Sequence, residues 1–142
     1  MTLLRMDHVG VIVSDLDEAL AFFAALGFKI GGRMTLGDER VDRIVGLNGV
    51  RNTMAMIETP DGHSRLEVIQ FLSPAVREGD AGAPANTLGL RHLCFAVDSL
   101  EDTLARLDAE LVGEIVDYGG SFKLCYLRGP DGIIVELAEK LS

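Results

Sequence analysis

Gly89-Leu90-Arg91-His92-Leu93-Cys94-Phe95-Ala96-Val97-Asp98 is the stretch on which the rest of the chain turns, because its design occurs twice. Near the N-terminus it reads Met6-Asp7-His8-Val9-Gly10-Val11-Ile12-Val13-Ser14. In each copy a His opens a β-like run, and a helix signal follows. The two His are 84 residues apart, and the same offset carries Val13 onto Val97, Leu16 onto Leu100, Asp17 onto Glu101 and Leu20 onto Leu104. Self-similarity over such a distance marks a duplicated module.

Outward from the two histidines, each copy continues in the same order. Arg5 to Val13 alternates and is rich in β-branched residues, as a strand does, with His8, Gly10 and Ile12 on one face and Val9, Val11 and Val13 on the other. Ser14 is a cap candidate, and Leu16, Leu20 and Phe23 recur at helical spacing up to the stop at Gly27. Strands are predicted at Phe28–Thr35, Thr53–Thr59 and Leu66–Phe71, with a short helix near Asp42–Val45. Pro60-Asp61-Gly62 is a turn. The second copy restarts with a strand over Gly89–Val97. Ser99 caps a helix carrying Leu100, Leu104 and Leu107; strands follow at Leu111–Tyr118, Phe122–Arg128 and Ile133–Ala138, the last after Pro130-Asp131-Gly132. The expected fold class is α+β: two βαβββ modules, residues 4–72 and 89–140, joined by a Pro-, Gly- and Ala-rich linker over 73–88 within one domain of 142 residues.

Each module closes on a strand that sets a Glu among apolar residues: Glu67 in Leu66-Glu67-Val68-Ile69 and Glu136 in Ile134-Val135-Glu136-Leu137. Burying a lone carboxylate is costly, so a Glu buried in such a run usually has a charged partner or a metal. One such residue is ordinarily a structural His or a solvated Glu. His8, Glu67, His92 and Glu136, at matched places in two copies, form a donor set suited to Zn, Ni, Co, Mn or Fe. On the second His strand, His92, Cys94 and Ala96 share a face, so small neighbours leave room beside the imidazole. His63, Arg91 and Asp7 are read as solvated surface residues, and Cys94 and Cys125 as free core thiols.

A net charge of −9 argues against nucleic acid or an anionic membrane surface as partner. No apolar run approaches the length of a membrane span, and no leader pattern is seen, so a cytoplasmic location is expected.

The chain resembles the vicinal oxygen chelate superfamily, the glyoxalase, bleomycin-resistance and extradiol dioxygenase group. The resemblance rests on Asp7-His8-Val9, Asp15-Leu16-Asp17-Glu18-Ala19, Leu66-Glu67-Val68, His92 to Asp98, and Pro130 to Leu137. It implies curved mixed sheets around a cleft, with His8, Glu67, His92 and Glu136 holding a divalent metal (Ni, Zn, Co or Mn before Fe). That ligand set is similar to glyoxalase I, a lactoylglutathione lyase. It implies a lyase or isomerase that abstracts a proton beside a carbonyl through a metal-stabilised enediolate, with Glu136 as base and Glu67 the other candidate. A small-molecule substrate and a homodimer are implied as well. Family alternatives are a methylmalonyl-CoA-type epimerase, whose second His strand is similar to Gly89–Phe95, an extradiol-type dioxygenase, and a non-catalytic binding protein of the bleomycin-resistance sort. Where glyoxalase I has an Arg and an Asn for glutathione, this chain has Ile12 and Phe71. That apolar pair cannot hold glutathione's charged ends, so glutathione dependence is not carried over.

Overall fold

The structure, a computed structural model, describes residues 2–142. The chain divides into two compact units, Met1–Glu78 and Gly79–Ser142. The first contains β1 (Val9–Ile12), α1 (Leu16–Leu26), β2 (Lys29–Leu36), α2 (Glu39–Val45), β3 (Arg51–Glu58) and β4 (Arg65–Ser73). The second contains β5 (His92–Val97), α3 (Leu100–Arg106), β6 (Val116–Tyr118), β7 (Phe122–Arg128), a 3-10 turn at Pro130–Gly132, and β8 (Ile134–Lys140). Each unit builds one four-stranded sheet, and the two orders correspond strand for strand: β1-β4-β3-β2 and β5-β8-β7-β6. In each, the first strand, which His8 immediately precedes in one unit and His92 opens in the other, runs parallel to the Glu-bearing strand, and the remaining pairs are antiparallel. The fold is α+β, as expected, with two units of one strand order.

The core of the first unit lies between α1 and one sheet face. Leu16, Ala19, Leu20, Phe23 and Leu26 of α1 are buried, as are Val11, Ala55, Ile57, Leu66 and Val68 of the strands. Helical and pleated periodicity therefore meet on one apolar seam. The helix begins one residue later than the sequence suggested: Asp15, not Ser14, is the cap, its carboxylate accepting from the Glu18 N–H at 3.0 Å. The repeat offset already pointed there, since it carries Asp15 onto Ser99, which caps α3. A second cap comes from each sheet. Gln70 Oε1 accepts from the Leu16 N–H at 2.8 Å, and Glu139 Oε2 from the Leu100 N–H at 3.4 Å. These are equivalent positions, three residues beyond Glu67 and Glu136.

The other departures concern strand length. The expected strands from Arg5 and Gly89 begin only at Val9 and His92, where pairing with Leu66 of β4 and Ile134 of β8 begins. Alternation alone makes no strand without a neighbour. The strand expected over Leu111–Tyr118 is broken. Leu111 bridges Leu127 and Val116 pairs with Leu124, so the intervening segment carries two residues more than its partner and bulges out.

Residues 79–88, the larger part of the segment read as a linker, belong to the second unit, together with residues 89–91. Ala83 is buried, and Arg91 donates from Nη2 to the carbonyls of Ala83 (2.8 Å) and Pro84 (3.1 Å). Arg91 is thus half-buried and holds this strap, a correction to its reading as a surface residue; its Nε is buried without a partner among the described residues. Arg128 donates from the other side, to the carbonyls of Gly132 (3.0 Å) and Gly82 (3.4 Å).

Candidate functional site

The parallel pairings place each His beside its Glu. Gly10, two residues after His8, is the register partner of Glu67; Cys94, two residues after His92, is the register partner of Glu136. Residues two apart on a strand share a face, and so do register partners on neighbouring strands. Each His and Glu therefore stand together on the sheet face turned away from the helix. His8 Nε2 lies 3.8 Å from Glu67 Oε2, and His92 Nε2 lies 3.3 Å from Glu136 Oε1. The structure brings the predicted residues together as these two pairs. Among the described residues, no group of three or more His, Cys, Asp or Glu side chains is gathered to hold a metal ion.

Each imidazole is also held from its other nitrogen. In the first unit Asp7 Oδ2 lies 2.7 Å from His8 Nδ1. The carboxylate is kept below its ordinary range, chiefly by this hydrogen bond and further by Arg65, whose Nη2 donates to the same oxygen at 2.9 Å. An ionised carboxylate can only accept, so Nδ1 of His8 donates to Asp7, and Nε2 is the nitrogen turned toward Glu67. In the second unit Tyr126 Oη lies 3.4 Å from His92 Nδ1, with ring centroids 5.0 Å apart. Tyr126 is the register partner of Glu136 on β7, so His92, Glu136 and Tyr126 share a face. Imidazoles fixed at one nitrogen and presenting the other beside a carboxylate have the orientation that metal-ligating His require. These two pairs are the residues that could hold a divalent metal.

Asp7 and Tyr126 were the residues sequence reasoning missed as participants. Asp7 was read as a surface residue, and its position beside His8 in sequence gave no sign that Arg65 would draw the carboxylate onto the ring. A signal for Tyr126 existed only in the register of β7 on β8, which a single sequence does not print. His63 is exposed in its turn, where its N–H donates to Asp61 Oδ1 at 3.0 Å, as expected of a loop residue. Of the two thiols, Cys125 is buried as predicted, but Cys94 is exposed on the His92 face, correcting its assignment to the core. Its pKa is pushed up to about 11, first by burial around the sulfur and then by the adjacent Glu136 charge. The glutathione-binding positions of the resemblance also fall on the functional face. Ile12 pairs with Ile69, and Phe71 with Asn52.

Residues 5–137 match the Glyoxalase/Bleomycin resistance protein/Dioxygenase superfamily, and the chain belongs to that family. Among solved structures, a glyoxalase family protein from Bacillus cereus is 42% identical, superposes with a TM-score of 0.95, and is matched over 100% of this chain and 97% of its own. The Bacillus subtilis protein YwbC is 27% identical, over 96% of this chain and 98% of its own. A glyoxalase I mutant from Zea mays shares the fold at a TM-score of 0.70 and 19% identity, with 97% of this chain covering 45% of that one. Among the described residues no helix is long and apolar enough to cross a membrane.

Proposed function

We propose that this protein is a metal-dependent lyase or isomerase of the glyoxalase I type, acting on a small carbonyl compound in the cytoplasm, with His8, Glu67, His92 and Glu136 as ligands of one divalent ion. Two donors come from each unit, and the family's habit of pairing modules supports a homodimer as the working form. The observation that carries this reading is the matched register: each His stands beside its Glu, on the same face, with its second nitrogen engaged. Bound by these four side chains, a divalent ion would polarise a substrate carbonyl and acidify the neighbouring C–H.

The remaining chemistry belongs to the chain. Glu136 takes the proton beside the carbonyl and returns it to the neighbouring carbon. Its side chain is the less exposed of the two carboxylates, 17% against 30% for Glu67, which favours it as the group shielded from solvent during transfer. Tyr126 and Asp7 orient the imidazoles. Ile12 and Phe71 make the adjoining surface apolar, which fits a substrate other than glutathione with its charged ends.

Metal analysis of the purified protein tests the reading. Stoichiometric Ni, Zn, Co or Mn together with isomerase activity on hemithioacetals or related carbonyl compounds is expected. Fe(II) with oxygen consumption would move the protein to the oxygenase branch. Failure to retain any divalent ion would leave a binding protein.

A further inference from the structure

The functional face of the first unit has a polar end far from Glu67 that none of the chemistry above uses. Register lays the face out. From Glu67 on β4 it continues through Ile69 to Phe71, and on β3 from Met56 through Met54 to Asn52, with Met34 and Leu36 opposite the last two on β2. The middle of this surface is a floor of methionine, isoleucine and phenylalanine. Its far end is Asn52, which is 7% exposed, and whose Oδ1 is buried with no hydrogen-bond partner among the described residues. A buried acceptor left without a donor costs about 1–3 kcal/mol, and native structures keep few of them. The neighbours of Asn52 across the sheet, Phe71 and Leu36, have no side-chain donor to offer.

We propose that Asn52 is a specificity-determining residue: its side-chain amide receives a hydrogen-bond donor at the far end of a mostly apolar, uncharged carbonyl substrate whose reacting end lies at Glu67. This rests on the reading of Glu67 as part of the metal site. Met56, the register partner of Glu67, is four residues from Asn52 along β3, so the span is about 13 Å at ~3.3 Å per residue. The terminal torsion of an Asn side chain is soft, so the amide can turn to present its oxygen to the incoming N–H or O–H. Methionines accommodate varied apolar shapes between the two ends. The substrate class is thus an amphiphilic α-hydroxy or α-keto carbonyl compound with one remote hydroxyl or amide.

The experiment uses straight-chain hydroxamic acids, which chelate the metal, on Ni-loaded protein. Binding is measured by calorimetry over a series of chain lengths ending in either a hydroxyl or a methyl group. At the span that reaches Asn52, the hydroxyl-ended probe is expected to bind about tenfold more tightly than its methyl-ended partner. At shorter lengths the two are expected to be equal. Asn52→Leu, close in size, should remove or invert that preference; Asn52→Ser should remove it should the leucine variant not fold. In metal-free protein, Asn52→Leu should melt no lower than the parent, since no internal hydrogen bond is lost. A hydroxyl preference absent at every length, or surviving in both variants, overturns the assignment, as does a melting temperature several degrees lower in Asn52→Leu. Acetohydroxamate, too short to reach Asn52, separates the two readings. If it fails to bind Ni-loaded protein, the metal site itself is wrong and this inference falls with it. If it binds and the long probes show no preference, only Asn52 is wrong.

Discussion

The two units carry one design with two different supports for the imidazole. In the first, Asp7 approaches His8 Nδ1 at 2.7 Å and is itself gripped by Arg65. In the second, a neutral phenol stands 3.4 Å from His92 Nδ1. The difference is one of commitment. A carboxylate accepts only, so it fixes one tautomer of His8; a phenol donates or accepts, so Tyr126 permits either tautomer of His92. The closer His–Glu pair, with the less exposed carboxylate, is the one with the weaker buttress. The sheet register gives both units the same His–Glu geometry, while the supporting residues, which come from a loop in one unit and from the next strand in the other, differ.

That comparison can be broken most forcefully at the carboxylates. Glu136→Gln should lower turnover by about 10²–10⁴-fold while leaving the melting temperature nearly unchanged. Glu67→Gln should act mainly on metal affinity, and full activity in Glu136→Gln would remove Glu136 as the base. The matched turns give the next contrast. A Cβ on Gly132 would run into the backbone of Ala81 in the strap, at a φ of +80°, whereas one on Gly62, at +75°, meets nothing. Gly132→Ala is expected to cost about 3 kcal/mol or more and Gly62→Ala about 1, read by denaturant titration. Equal costs would mean that the strap does not press on the second turn.

The buttresses themselves come third. Loss of an outer partner of a metal-bound His typically costs 10–100-fold in metal affinity. Asp7→Asn is expected near the upper end of that range and Tyr126→Phe near the lower, by competitive chelator titration; the reverse order would dissolve the distinction drawn here. The smallest effect concerns Cys94. With its pKa at about 11 against an ordinary 9.0, it holds roughly 100-fold less thiolate than a free thiol at pH 8. Its alkylation should keep rising with pH until it passes about 11. In Glu136→Gln the neighbouring negative charge is gone, so the pKa falls and alkylation at pH 8 speeds up. An unchanged rate there would show that Glu136 does not act on the thiol.

Local pattern carried the repeat and its chemistry a long way. Alternation around His92, the two Pro-Asp-Gly turns, and a Glu in each closing strand placed Glu67, His92 and Glu136 on their strands, because the pleat puts every second residue on one face whatever the partner; His8, expected within a strand, stands one residue before β1. Helix positions were legible for the same reason, apart from the one-residue shift from Ser14 to Asp15. What pairing decides was not legible. The true starts of β1 and β5, the bulge between Leu111 and Val116, and the placement of Tyr126 beside His92 all depend on which residue of another strand lies opposite.

The sequence by itself determined which residues of one strand share a face, and that a His and a Glu recur at matched places in two copies, since period-two geometry and a twice-used pattern are local properties. Only the tertiary structure decided what stands behind each imidazole, that Arg91 and Arg128 fasten the strap, and that Asn52 is buried with an acceptor unanswered. Those outcomes come from contacts between residues far apart in the chain, whose register no single stretch of sequence contains.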